Sequence, residues 1–150
     1  MQPQKDKITF RAAPYYYEVK CLIETTDEKG FTKKANCLYT VEAQSWTEAE
    51  ARATGELQPE DITAMSRAAY KDIALTGNPD HRFYKCKIIL IVLDEKSGGE
   101  KKTPYWMLVQ APDLGTAKKT AEDFMKDSMY DSELASVAET KIEDVLEYEK

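Results

Sequence analysis

The run "LDEKSGGEKKTPYWMLVQA" at residues 93–111 repeats, with one extra residue in its turn, the pattern of "TDEKGFTKKANCLYTVEA" at residues 26–43. Each carries Asp-Glu-Lys, a short gap, a Lys-Lys pair, an apolar-rich run and a closing Ala. The likeness extends outward from there. At one offset Tyr17 falls on Tyr84 and Lys20 on Lys87. One residue later in offset, Val41 falls on Val109, Ala43 on Ala111, Ala49 on Ala117 and Ala53 on Ala121. Near the end, Asp72-Ile73 falls on Asp144-Val145. These identities keep one order, and the offset grows only where turns or loops are expected. Residues about 15–75 and 82–147 therefore read as two copies of one unit.

Within each copy the apolar period changes from two to the helical one. Residues 15–25 alternate, with Tyr15, Tyr17, Val19, Cys21 and Ile23 on one side, as a half-buried strand does. "TDEKG" supplies a turn, and residues 35–43 alternate again, which gives a β-hairpin. Ser45 followed by Glu48 is a capping box, and Trp46, Ala49, Ala53 and Leu57 recur at helical spacing. A third strand is expected over about 61–75. The second copy follows the same plan: strands at 83–93 and 103–111, a helix capped by Asp113 and running to about 127, and a last strand at about 134–141. The fold class is α+β: two tandem ββαβ repeats with pseudo-two-fold symmetry, mainly antiparallel sheets and two helices. Residues 1–14 form an N-terminal extension, and 15–150 form a single domain joined at "GNPDH".

The two hairpins differ in a way that predicts an interface. Ile89, Ile91, Trp106 and Leu108 lie on the side opposite Cys86, Ile88, Leu90, Met107 and Val109, so the second hairpin is apolar on both faces. The first carries Leu22, Asn36, Leu38 and Thr40 there and is half polar. The second hairpin is expected to lie centrally or to meet a partner subunit, which leaves a homodimer open.

Composition narrows the function classes. The net charge of −6 over 150 residues argues against general coating of duplex DNA. The N-terminus lacks the apolar centre of a signal peptide, and the longest apolar run, residues 88–93, is far too short for a bilayer. Three cysteines without Cys-x-x-Cys spacing suit a reducing, cytoplasmic setting. Cys21 and Cys37 should face each other across the first hairpin, with Cys86 in the equivalent layer, as packed thiols rather than metal ligands. The one histidine, His81, sits in a junction loop with no nucleophile pattern beside it. Carboxylates number 27 and single out no acid–base pair. "KSGGEKK" lies in a hairpin turn, not between a strand and a helix start, so it is no phosphate loop. The expectation is no catalytic residue, no metal and no cofactor. Aromatic residues interleaved with lysines could stack bases and hold phosphates, which makes Tyr17, Lys20, Tyr84 and Lys87 the candidate ligand-binding residues.

"YYYEVKCLIE", "SWTEAEARA", "YKCKIILIVLDEKSGGEKKTPYWMLVQA" and "SVAETKIEDVL" together resemble the family catalogued as domain of unknown function 4494, over residues about 15–146. The resemblance implies a small cytoplasmic protein of Bacteroidetes-type bacteria or their phages, and carries over no activity or site residue. The expected function is a non-enzymatic binding or adaptor protein recognising a protein or small-molecule ligand. A nucleotide or single-stranded nucleic-acid binding accessory protein is the alternative.

Overall fold

The computed structural model describes residues 7–148. Along the chain the elements are β1 (Thr9–Ala12), β2 (Tyr15–Thr26), β3 (Thr32–Ala43), α1 (Trp46–Leu57), β4 (Asp61–Arg67), β5 (Asp72–Leu75), β6 (Arg82–Leu93), β7 (Glu100–Ala111), α2 (Leu114–Met125), β8 (Asp131–Glu139) and β9 (Ile142–Leu146). This is a mixed α+β fold with two helices and two mainly antiparallel sheets, ordered β1-β5-β7-β6-β8 and β4-β2-β3-β9. The chain divides into two compact units, one made of β1 and Asp72–Thr140, the other of Ala13–Lys71 and β9.

In the unit holding β2, β3 and α1, the hairpin turns where Asp27 accepts the amides of Lys29 and Phe31 at 2.9 Å. Gly30 takes φ +85, a conformation that favours glycine. The register then places Cys21 opposite Cys37 and Tyr17 opposite Val41. Ser45 Oγ accepts the Glu48 amide at 3.1 Å and starts α1. Ala49 and Ala53 are fully buried, so α1 lies close over Tyr17, Val19 and Val41. In the unit holding β6, β7 and α2, Asp94 and Gly98 (φ +73) make the turn. Asp113 caps α2 through the Thr116 amide at 2.7 Å. Ala117 and Ala121 pack into a core with Tyr84, Cys86, Ile88 and Met107.

The strand expected over 61–75 is two strands, β4 and β5, and the one expected over 134–141 is β8, with a further strand, β9, beyond it. After Arg67 the chain leaves its sheet: the Ala68 amide donates to Tyr16 O at 2.8 Å, and the Tyr70 ring is buried. β5 then pairs parallel with β7, Asp72 opposite Met107 and Ile73 opposite Leu108. In the other half Thr140 N donates to Phe83 O at 2.9 Å. β9 then pairs parallel with β3, Asp144 opposite Tyr39 and Val145 opposite Thr40. "RAAYK" and "ETK" contain no Gly or Pro to mark these breaks, so the sequence reads as continuous strand. Each sheet thus takes its parallel strand from outside its own hairpin and helix in the chain: β5 follows β4, and β9 follows β8. The segment leading into β2 contributes β1, antiparallel on β5; residues 1–6 lie outside the described residues. Among the described residues no helix is long and apolar enough to cross a membrane.

Buried side chains fasten the strand ends. Gln110 Oε1 accepts the amides of Thr76 and Gly77 at 3.0 Å, and its Nε2 donates to Asn78 O at 2.9 Å. In the other unit Glu42 Oε2 accepts the Tyr148 amide at 3.1 Å. Arg52 donates to the carbonyls of Glu42, Leu146 (3.3 Å) and Glu147 (2.6 Å), tying together the C-terminal ends of β3 and β9.

Candidate functional site

The four residues expected to bind a ligand do not share a surface. Tyr17 is 2% exposed beneath α1, its ring 4.9 Å from that of Trp46. Tyr84 is 5% exposed and belongs to the core under α2. Lys20 is exposed and Lys87 half-buried, both on the opposite faces of their strands. The register shift between β2 and β4 falls after Lys20, and that between β6 and β8 after Lys87. Alternation from tyrosine to lysine is therefore unbroken in both strands, and each pair is split across its sheet.

Cys21 and Cys37 are direct cross-strand neighbours, and the three thiols are free. Burial, then the neighbouring Cys37, raises the Cys21 pKa, and burial pushes Cys86 up to about 11. Desolvation disfavours the thiolate. Such thiols are poor nucleophiles and poor metal ligands. Among the described residues no three of His, Cys, Asp or Glu gather as metal ligands would. His81 Nδ1 is 2.8 Å from Thr76 Oγ1 in the β5–β6 connection.

The four expected interface residues divide. Leu108 is fully buried opposite Ile73. Ile89, Ile91 and Trp106 share the β6–β7 face away from α2 and are half-buried, with Leu93 at its end 68% exposed. Lys87 Nζ lies 5.5 Å from the Trp106 ring centre. Register puts Lys102 opposite Ile91 on β7, and Glu133 and Asp131 opposite Ile89 and Ile91 on β8. The strip is therefore flanked on β7 by Lys102, with Glu100 opposite Leu93 at its end, and on β8 by the acids Glu133 and Asp131.

A second feature lies where β2 begins and β4 ends. A recess of about 510 Å³ is lined by Tyr15, Tyr16, Arg67, Tyr70 and Lys71, with small residues around Pro14. The Arg67 guanidinium carbon sits 3.4 Å from the centre of the Tyr15 ring. The Tyr16 and Tyr70 rings are 5.9 Å apart. Their hydroxyls are held by Glu42 (3.4 Å) and Thr40 (2.6 Å). Burial, then the charge of Glu18, pushes the Tyr70 hydroxyl far above the usual tyrosine range, so it stays protonated. Arg67 and Lys71 do not stand out in the sequence because residues 61–75 read as one strand. The signal present in the sequence was "RAAYK", where alternation lapses.

The family model described as "Domain of unknown function (DUF4494)" matches residues 15–148, nearly the whole chain. The chain belongs to this family. Both hairpins, both helices and the two parallel pairings fall inside the DUF4494 match, while β1 precedes it. The apolar strip lies wholly within the family's span, and the recess does so except for Ala13 and Pro14. No curated protein and no solved structure matches the chain.

Proposed function

We propose that this DUF4494 chain is a non-enzymatic binding or adaptor protein of the cytoplasm, of bacterial or phage origin, that meets a protein partner through the apolar strip on β6–β7. The observation that carries the reading is that Ile89, Ile91 and Trp106 stay only partly buried together, with the exposed Leu93 beside them, after the chain has folded. Contiguous apolar surface of this kind costs free energy in water unless it is covered. A second copy is the partner its charges fit. A two-fold axis along the strands sets the Lys102 flank of one copy against the Asp131 and Glu133 flank of the other. Sedimentation equilibrium tests this. A dimer should form, and Ile91→Asp should return it to monomer without loss of secondary structure. A monomer at every concentration, or a dimer indifferent to Ile91→Asp, would count against the strip.

The same reading holds the chain to be a duplicated unit with approximate two-fold symmetry, each copy a ββαβ body that donates one further strand. Matched details in the two units support this. Strand irregularities follow Lys20 and Lys87. The Ala68–Tyr16 and Thr140–Phe83 hydrogen bonds correspond, as do the cap bonds of Ser45 and Asp113. Glu42 and Gln110 hold equivalent amides. Superposition of the two units in an experimental structure tests it, and a different strand connectivity in either would end it.

A further inference from the structure

The matched halves diverge at one corner, and the divergence leaves charge uncompensated. Tyr17 stands opposite Arg67, and in the other unit Tyr84 stands opposite Glu139. There, Arg82 Nη1 makes an ion pair with Glu139 Oε1 at 2.6 Å, so the corner is neutral. Here the position of Arg82 is taken by Tyr15 and that of Glu139 by Arg67, so a guanidinium lies on a neutral ring. No carboxylate of the described residues is within ion-pair distance of Arg67 or of Lys71 beside it. Glu42, which holds the Tyr16 hydroxyl, and Glu18, whose charge acts on Tyr70, have further contacts of their own. Two cations thus edge a recess walled by three tyrosines in a protein of net charge −6.

The geometry points to this recess as a binding site for a flat ring carrying a phosphate, of the nucleoside monophosphate class. Arg67 already shows that the corner accepts a planar group stacked on Tyr15, and guanidinium and tyrosine faces are the surfaces on which bases stack. The N–H fork of Arg67, with Lys71 as a point charge, supplies charge-assisted donors for phosphate oxygens. A volume of about 510 Å³ lies in the usual range for small-molecule sites. The Tyr70 hydroxyl stays protonated and adds no repelling charge. This site is separate from the β6–β7 strip and stands or falls without it. It moves the nucleotide reading away from Tyr17, Lys20, Tyr84 and Lys87.

The ring and phosphate could belong to a free nucleotide or to the end of a nucleic-acid strand. Calorimetric titration at low salt separates these with four probes: adenosine monophosphate, adenosine, inorganic phosphate, and a short 5′-phosphorylated single-stranded oligonucleotide. The expected result is saturable binding of the monophosphate, the phosphorylated strand or both, at least about tenfold tighter than adenosine or phosphate alone. Binding of the strand without the mononucleotide assigns the ligand to nucleic-acid ends. Arg67→Ala should weaken binding about tenfold or more, and Lys71→Glu, at an exposed position, should do the same. Arg82→Ala, at the neutral corner, should leave it unchanged. Both altered positions are exposed, and circular dichroism checks that the variants fold. Failure of both phosphorylated probes to bind overturns the site. So does inorganic phosphate binding as tightly as the monophosphate, or an equal loss in Arg82→Ala.

Discussion

Cys37, half-buried opposite the fully buried Cys21, is the thiol that a reagent should reach first. In the native protein a disulfide reagent should label Cys37 ahead of Cys21 and Cys86, which should react only as the chain unfolds; equal rates for all three would refute this. The raised pKa values set the sign of the alkaline response. A thiol whose folded pKa lies above its unfolded value of about 8.5 costs no stability below that pH. Above it, the unfolded chain releases protons the folded chain retains, so stability falls as pH rises toward about 11 for Cys86. Cys86→Val should lessen that alkaline loss in denaturant melts. Tyr17 gives a second measurement. As a core ring against Trp46, its change to Ala should cost roughly 3–5 kcal/mol, with Tyr17→Phe much milder. A Tyr17→Ala protein of unchanged stability would contradict the burial described. The opposition of Cys21 and Cys37 was legible because it depends only on the centre of a local hairpin. The Tyr15–Arg67 contact was not, since it depends on how β4 registers against β2 with an irregularity between them.

Hairpins and helices were readable element by element, because caps, turns and apolar periods are written within a dozen residues. The N-caps give a test at that scale. Ser45→Ala should lower stability by about 1 kcal/mol, measured by urea unfolding. Asp113 adds a pH signature. The Thr116 amide holds its carboxylate below the ordinary value, so the folded pKa lies under the unfolded one. Its stabilisation is therefore present above the unfolded value of about 3.9 and is lost as pH falls through the folded value. The deficit of Asp113→Ala relative to the parent should be plain at neutral pH and shrink below about pH 4. A deficit that is constant with pH would argue against the carboxylate as the cap. Strands β5 and β9 escaped a local reading because their partners, β7 and β3, are distant in sequence. A parallel pairing leaves no turn beside it to announce itself.

At the scale of the whole molecule, each unit is completed by a strand from beyond its own hairpin and helix. Stability should therefore be shared. Trp46 belongs to one unit and Trp106 to the other, so single-tryptophan variants report on each separately. Trp46→Phe and Trp106→Phe proteins should show coincident fluorescence midpoints in denaturant, matching circular dichroism. Two separated transitions would show that the units unfold independently despite the exchange. Truncation before β9 should unfold the unit around β2 and β3, since it strips the parallel partner of β3, the Leu146 side chain of its core, and the Leu146 and Glu147 carbonyls that Arg52 holds.

The exchanged strands also set a timetable for synthesis. The hairpin and helix of the unit that begins at Ala13 leave the ribosome before those of the other, yet that unit waits for Leu146 before its sheet is whole. The other unit, though its hairpin and helix emerge later, has all its strands once Glu139 is out. Translation order and completion order are reversed, and the hairpin made first spends most of the chain's elongation with an unguarded edge.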